Sequence, residues 1–210
     1  MQTRKGQSIE DASMAVIEKE IGSHPYNEDE WPIVRRVIHS TADFDFAKEN
    51  EIIFQKNAIE SGKHALSNGC SIVVDVNGVA GLINKQSSIE YGNKIICKIS
   101  DSEVASQAQK YGKTKSQMSM RMSASEMEGG LIVIGNAPTA LLEVIQMIKE
   151  NEVNPALVIG MPVGFISASE SKEELAKLDI PLITNKGRKG GSPSAAAIVN
   201  ALFKQIRLSS

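Results

Sequence analysis

Short runs rich in Ile and Val alternate with longer segments of helical periodicity from about residue 50 to the end of the chain. The runs are SIVVDV (71–76), KIICKI (94–99), GLIVIG (130–135), ALVIG (156–160) and IPLIT (180–184). Because most of them are continuously apolar, they are typical of strands covered on both faces. The segments between them, such as DSEVASQAQKYG and APTALLEVIQMIKE, are typical of amphipathic helices. This order predicts an α/β fold, doubly wound, with a mainly parallel sheet and helices on both faces.

The first fifty residues differ from this pattern. SIEDASMAVIEKEIG and NEDEWPIVRRVIHST predict two amphipathic helices, and therefore a helical N-terminal segment. No internal repeat and no linker of Pro, Gly and Ser divides the chain, so residues 1–210 are predicted to form a single domain.

Charge and hydropathy narrow the classes of function. The chain has 23 basic and 25 acidic residues without a long run of either sign, which argues against a general nucleic-acid binder. It shows no signal peptide and no stretch near the ~18 apolar residues of a membrane span, so we expect a cytoplasmic protein without a membrane partner. Any anionic ligand must then meet locally placed cations.

The segment NKGRKGGSPSAAA follows the last predicted strand, where ligands gather in open parallel sheets. Its glycines permit close approach of a ligand, Arg188 and Lys189 are cationic, and Ser192 is expected to begin a helix whose free N–H groups attract anions. An anion site and a plain capped turn are equally good interpretations of this composition. The segment does not fit the phosphate-binding pattern G-x-x-x-x-G-K-[ST].

Arg121 lies among methionines in MSMRMSASEMEGG, which predicts one helix carrying Met118, Met122 and Met127. A guanidinium in apolar surroundings needs a partner to offset its desolvation. Glu126 or Glu128 could be that partner, and a bound carboxylate is the functional alternative.

His39 lies in RRVIHSTADFD, one helical turn after Arg35. The residues around His39 do not supply the further ligands of a zinc site, so metal binding is not predicted. The chain also has no nucleophile elbow of the G-x-S-x-G kind, so a serine triad is not predicted. A lone helical histidine is more often structural than catalytic. The cations and hydroxyls around His39 favour a proton donor that faces a polyanion.

Four segments, VRRVIHSTADFDF, GNAPTALLEVI, NPALVIGMPVGFISASESKEEL and GRKGGSPSAAAIVNAL, together resemble the precorrin-8X methylmutase family of corrin (vitamin B12) biosynthesis. The resemblance runs in order from about Ser8 to Leu202. It implies a flavodoxin-like fold, a homodimer with sites near the subunit interface, and an isomerase that moves a methyl group from ring position eleven to position twelve. It also implies that no external methyl donor or redox cofactor is used, so no cofactor is expected.

The resemblance also assigns residues. It makes His39 the catalytic proton donor or acceptor, and Ser13 a substrate-binding residue. Arg121 matches the family's substrate-binding arginine, although its neighbours depart from the family pattern T-R-S-A-A-A-M. The remaining residues predicted to bind the substrate are Arg35, Thr41, Lys189 and Ser192. The family more often has methionine where this chain has Gly78, which is therefore not counted among the site residues.

The leading hypothesis is an isomerase acting on precorrin-8X or cobalt-precorrin-8, with hand-over to other enzymes of the pathway. A flat macrocycle with several carboxylates suits an apolar slot rimmed by separate cations. Two other functions are considered: a non-catalytic tetrapyrrole carrier that holds the product, and a phosphate- or nucleotide-binding protein that uses the GRKGGS segment.

Overall fold

A computed structural model describes residues 3–48 and 51–209. The helices are α1 (Arg4–Ile21), α2 (Trp31–Thr41), α3 (Ala58–Ser67), α4 (Asn77–Leu82), α5 (Lys85–Glu90), α6 (Ser102–Tyr111), α7 (Lys115–Arg121), α8 (Pro138–Lys149), α9 (Ala168–Ala176) and α10 (Ser192–Ser209). The strands are β1 (Ile52–Gln55), β2 (Ser71–Val74), β3 (Lys94–Ile96), β4 (Leu131–Ile134), β5 (Leu157–Gly160) and β6 (Leu182–Asn185). Short 3-10 turns cover Phe44–Ala47 and Ala124–Glu126.

The six strands form one sheet in the order β1-β6-β5-β4-β2-β3. All neighbouring strands are parallel except β1, which pairs antiparallel with β6 and places Ile52 opposite Asn185. The predicted mainly parallel sheet is therefore confirmed, with an antiparallel strand at one edge.

Helices pack on both faces of this sheet, as predicted. Leu131 and Val133 of β4 join one apolar cluster together with α1, α2, α3 and α10, whereas Ile132 and Ile134 join a second cluster with α8 and α9. Successive side chains of a strand point to opposite faces, so a continuously apolar strand fills both clusters. This explains why the strand sequences do not alternate in hydropathy.

The methionine segment departs from the prediction of one helix. Helix α7 ends at Arg121, and a 3-10 turn follows at Ala124–Glu126. Met127 lies beyond both elements and is still fully buried, so its periodicity reflected core packing and not a continuous helix.

Within the described residues, every helix falls short of the length and apolarity that crossing a membrane requires.

Candidate functional site

The carboxyl ends of β2 and β4 are joined by one buried carboxylate. Asp75, the residue after β2, accepts hydrogen bonds from the backbone N–H groups of Gly135 (2.9 Å), Asn136 (2.8 Å) and Ala137 (2.7 Å). Its side chain is fully buried, and burial raises the pKa of this carboxyl group, although the three hydrogen bonds act in the opposite direction. Asp75 therefore fixes the turn from which α8 begins.

The start of α10 lies against this turn. A Cβ atom added to Gly135 would lie 3.0 Å from Cα of Ser192, and one added to Gly78 would lie 3.0 Å from Oγ of Ser192. These two glycines allow α10 to begin directly over the crevice between β2 and β4. After β2 the chain continues to β3 on one side of the crevice, and after β4 it continues to β5 on the other side. Ligands of open α/β folds bind at such a point of reversal.

His39 reaches this region through the end of α2. The neighbouring Ser40 hydroxyl donates to the carbonyl of Val37 (2.8 Å) and lies 3.4 Å from the carbonyl of Pro193, so the last turn of α2 lies against the first turn of α10. The side chain of His39 is exposed, and its imidazole makes no hydrogen bond or ion pair with any residue that the structure describes. Its imidazole is free to meet a ligand.

Lys189 ties the loop after β6 to the segment after α2. Its ammonium lies 2.7 Å from Asp43 and also binds Asp45. The hydrogen bonds to Asp43 and then Asp45 raise the pKa of Lys189, and the bond from Lys189 lowers the pKa of Asp45 to about 2. The predicted substrate-binding cation is thus already paired with two carboxylates, four and six residues beyond His39.

A buried lysine of α9 also binds the loop after β6. Lys172 of α9 is 1 % exposed, and its ammonium donates to the amide oxygen of Asn185 (3.1 Å) and to the carbonyl of Lys189 (2.6 Å). The Asn185 amide donates to the same carbonyl (2.9 Å). Burying an ammonium group costs free energy unless it is hydrogen-bonded. The bonds from Lys172 therefore hold the loop after β6 in one position. Burial lowers the pKa of Lys172 to about 8, and Glu51 partly opposes this shift.

This lowered pKa predicts how stability depends on pH. Between pH 8 and the ordinary lysine pKa of about 10.4, the unfolded chain keeps the Lys172 proton and the folded chain does not. Unfolding then takes up a proton, so the free energy of unfolding contributed by this group rises with pH. Chemical unfolding at several pH values should show the parent protein gaining stability relative to Lys172→Met across this range.

Lys177→Met is the matched control for this experiment. Lys177 is exposed, and its hydrogen bond to Glu174 raises its pKa. Its contribution to the free energy of unfolding is therefore lost only as pH rises through that raised pKa, above the range tested. The difference between the parent and Lys177→Met should stay flat. A flat difference for Lys172→Met as well would contradict the prediction.

The other predicted binding residues lie around the same helix. Thr41 donates to the carbonyl of Val37 (2.9 Å) and accepts from the N–H of Asp43 (3.3 Å), so its hydroxyl caps the end of α2. Arg35 lies one turn before His39 and is paired with Glu18 of α1. Ser13 lies on α1, where its hydroxyl donates to the carbonyl of Ile9 (2.9 Å).

Arg121 lies elsewhere. It pairs with Glu143 of α8, with Glu152 (2.9 Å) and with Glu150 (3.7 Å), and the first of these bonds raises its pKa most. Glu150 and Glu152 precede β5 and so lie at the amino ends of the parallel strands, whereas Ser192 lies beyond their carboxyl ends. The two partners predicted for Arg121 from the sequence bind other groups. Glu126 pairs with Lys98, and Glu128 accepts a hydrogen bond from the N–H of Asn154.

The structure thus brings His39, Thr41, Lys189 and Ser192 to one end of the molecule. Ser13 lies on α1 and Arg35 lies on α2, one turn before His39. Arg121, at the end of α7, is not part of this group. Sequence reasoning missed Asp75 and Lys172, which support the site without lining it. Asp75 was marked in the sequence as a charged residue at the end of an apolar strand, although its partners were not, whereas Lys172 lies among other charged residues of α9 and had no such signal. No group of three or more His, Cys, Asp or Glu side chains suited to a metal ion occurs in residues 3–48 and 51–209.

Comparison with known proteins identifies close similarities over nearly the whole chain. The model of the precorrin-8X methylmutase family matches residues 8–205. A cobalt-precorrin-8 methylmutase of Priestia megaterium is 48% identical over 95% of this chain and 88% of its own length. One from Leptospira interrogans is 43% identical over 96% of this chain and 94% of its own. The crystal structure of a Thermus thermophilus precorrin-8X methylmutase superposes with a TM-score of 0.90 at 33% identity, covering 97% of this chain and 98% of that one.

Proposed function

The chain belongs to the precorrin-8X methylmutase family, and from this premise we propose how its residues carry out the family's reaction. The protein is an isomerase of corrin biosynthesis that transfers a methyl group within one substrate molecule. The methyl bond to ring position eleven breaks and a bond to position twelve forms. Because all atoms stay in the substrate, the reaction requires no external methyl donor and no net oxidation.

We propose that His39 exchanges the proton that this rearrangement needs. The protein must hold the ring and adjust the charge of its conjugated system while the carbon migrates. Imidazole suits this task because it gains and loses a proton near neutral pH. The single observation that supports the proposal is that the exposed side chain of His39 lies at the end of α2, which meets the start of α10 beside the crevice, and that no bond to a described residue holds its imidazole.

The substrate's ring nitrogens limit what His39 can protonate. Both curated relatives described above are named for cobalt-precorrin-8, so this is the first substrate to test, with metal-free precorrin-8X second. In a cobalt-containing ring the nitrogens are bound to the metal, so the proton must go to another atom or His39 must act by polarising the ring. In the metal-free ring a pyrrole nitrogen can accept it.

Substrate binding is proposed for the residues around His39. Ser192 begins α10 beside Gly78 and Gly135 of the crevice. Thr41 and Arg35 lie on α2, Lys189 binds Asp43 just after α2, and Ser13 lies on α1. A carboxylate of the substrate would compete with Asp43 and Asp45 for Lys189. Arg121 is distant within one chain, so its role in binding requires a second copy of the protein. We therefore propose a homodimer in which Arg121 serves the partner's site.

The finer fold assignment and the cellular setting are also proposals. Taken in chain order, the five parallel strands follow the spatial order 2-1-3-4-5, which supports a flavodoxin-like fold with an added antiparallel strand. We expect a cytoplasmic enzyme that receives its substrate from, and passes its product to, other enzymes of the pathway.

The decisive experiment is incubation with each form of the substrate while the visible spectrum is followed. Methyl migration changes the conjugated path of the ring and therefore its colour, so an isomerase converts the spectrum with time and with turnover. Tight product binding without conversion would instead support a tetrapyrrole carrier. Thermal stabilisation by phosphate esters but not by corrinoids would support a phosphate-binding protein.

A further inference from the structure

A cavity of about 620 Å³ opens between the loop after β5 and the loop after β6. The charged and aromatic residues of its lining are Glu51, Phe165, Glu170, Lys186, Arg188 and Lys189. It adjoins the end of α2 because Lys189, part of its wall, binds Asp43 and Asp45. Lys189 is shared with the proposed reaction site, whereas His39, Ser40 and Ser192 are not among the lining residues, so the cavity lies beside the imidazole and not around it.

Two cations at the cavity are available to a ligand. Lys186 and Arg188 are exposed, and no carboxylate within residues 3–48 and 51–209 approaches either of them to ion-pair distance. Lys189 differs, since two aspartates already occupy its ammonium. Of the two acidic residues in the lining, Glu51 has a pKa raised by burial, and its hydrogen bond with Asn185 and the charges of Lys189, Lys172 and Lys186 oppose this shift. Glu170 remains as an exposed carboxylate.

The backbone that carries these cations is held at several points. The N–H of Lys186 donates to the carbonyl of Glu51 (3.0 Å), and the N–H of Gly164 donates to the carbonyl of Arg188 (3.3 Å). The carbonyl of Lys189 accepts from Lys172 and Asn185. Less conformational entropy is therefore lost when a ligand binds here than on a free loop.

An apolar surface borders the cations. Phe165 is 85% exposed and Ile166 is 84% exposed, side by side in the loop after β5. The guanidinium carbon of Arg188 lies 5.6 Å from the centre of the Phe165 ring, within the range of a cation–π contact. Neighbouring exposed apolar side chains of this size indicate a binding surface. The combination of a flat ring and a guanidinium suits a ligand that is apolar on its face and anionic at its rim.

We propose that Lys186, Arg188 and Phe165 form a subsite for one peripheral carboxylate of the tetrapyrrole, with Phe165 against the apolar part of that side chain. The inference rests on the proposed function, because it takes the ligand to be a corrin-ring compound with several carboxylates. Held at its rim in this cavity, the ring extends past Lys189 toward the end of α2. The subsite fixes how the ring is rotated in its plane, and so which ring carbon comes to His39.

The test compares two ligands and three proteins. The ligands are the corrin product of the reaction and a derivative whose peripheral carboxylates have been converted to primary amides. The proteins are the parent, Arg188→Gln and Lys177→Gln, the last of which removes an exposed cation outside the cavity. Binding is titrated by visible absorbance. Arg188→Gln should weaken binding of the acid by about 10-fold or more, as expected for loss of a charge-assisted hydrogen bond.

The amide derivative separates carboxylate recognition from a general effect. It should bind the parent and Arg188→Gln equally, and Lys177→Gln should bind both ligands like the parent. Equal affinity of the parent and Arg188→Gln for the acid overturns the subsite, as does an equal loss for both ligands. Lys186→Gln provides a second variant with the same expected pattern.

The oligomeric state of Arg188→Gln is measured by sedimentation. A changed oligomeric state with unchanged affinity for the acid would mean that this surface joins two copies of the chain. That result would also overturn the proposal. Conversion of the precorrin substrate is followed with the same samples. Failure of the parent to convert it refutes the proposed function, whereas conversion with unaltered binding by Arg188→Gln refutes only the subsite.

Discussion

His39→Ala is expected to lower kcat for methyl migration by about 10²–10⁴-fold, the usual contribution of a positioned general acid. The dissociation constant for the corrin product should change little, because the cations and the crevice that hold the ring remain. Stability should also be preserved, since the exposed imidazole makes no bond to a described residue. Single-turnover absorbance measurements separate the rate of migration from binding and product release.

His64→Ala provides the control for this variant. His64 is also an exposed helical histidine, on α3, outside the crevice. It should react at the parental rate. If His39→Ala did so too, His39 would have no part in the mechanism, although the chain would remain a methylmutase.

Asp75→Ala is expected to lower the free energy of unfolding by about 3–5 kcal/mol. The substitution leaves three N–H groups at the start of α8 without their acceptor. Those of Gly135 and Ala137 are buried, and each unsatisfied buried donor costs about 1–3 kcal/mol, whereas water can reach the N–H of Asn136. The same loss should loosen the crevice, since Gly135 packs against the start of α10. Urea unfolding measures the first effect, and product binding measures the second.

Asp101→Ala is the comparison for Asp75→Ala. Asp101 is exposed and makes no side-chain cap bond to α6, so its removal should change stability by less than about 0.5 kcal/mol. Asp75→Asn keeps the volume and one acceptor oxygen, and should fall between the two. Equal stability of the Asp75→Ala and Asp101→Ala variants would show that the three hydrogen bonds contribute nothing.

The parallel part of the fold could be predicted from sequence because its signals are local. Each buried strand is a short apolar run, and each intervening helix has its own periodicity. Strand β1 was missed. Its sequence IIFQ is only partly buried, and its partner β6 lies far along the chain, so neither hydropathy nor a nearby turn marks it.

The candidate site was predictable only in part. The resemblance assigned the segments that contain His39, Lys189 and Ser192, and these segments do meet. Which cations are free could not be predicted, because pairing depends on residues distant in sequence, as with Lys189 and Asp43 or Arg121 and Glu143. Asp75 and Lys172 became recognisable only when the structure showed which backbone groups they bind.

The pairing of β1 with β6 has a consequence for biosynthesis. Residues 52–55 leave the ribosome long before their partners at 182–185, so this pair cannot form until about 130 further residues have been made. Contacts between such distant segments form slowly during folding. We therefore expect the antiparallel edge to close late, after the parallel strands have assembled, and a ribosome-bound chain ending before β6 to have an unprotected strand that invites capture by chaperones.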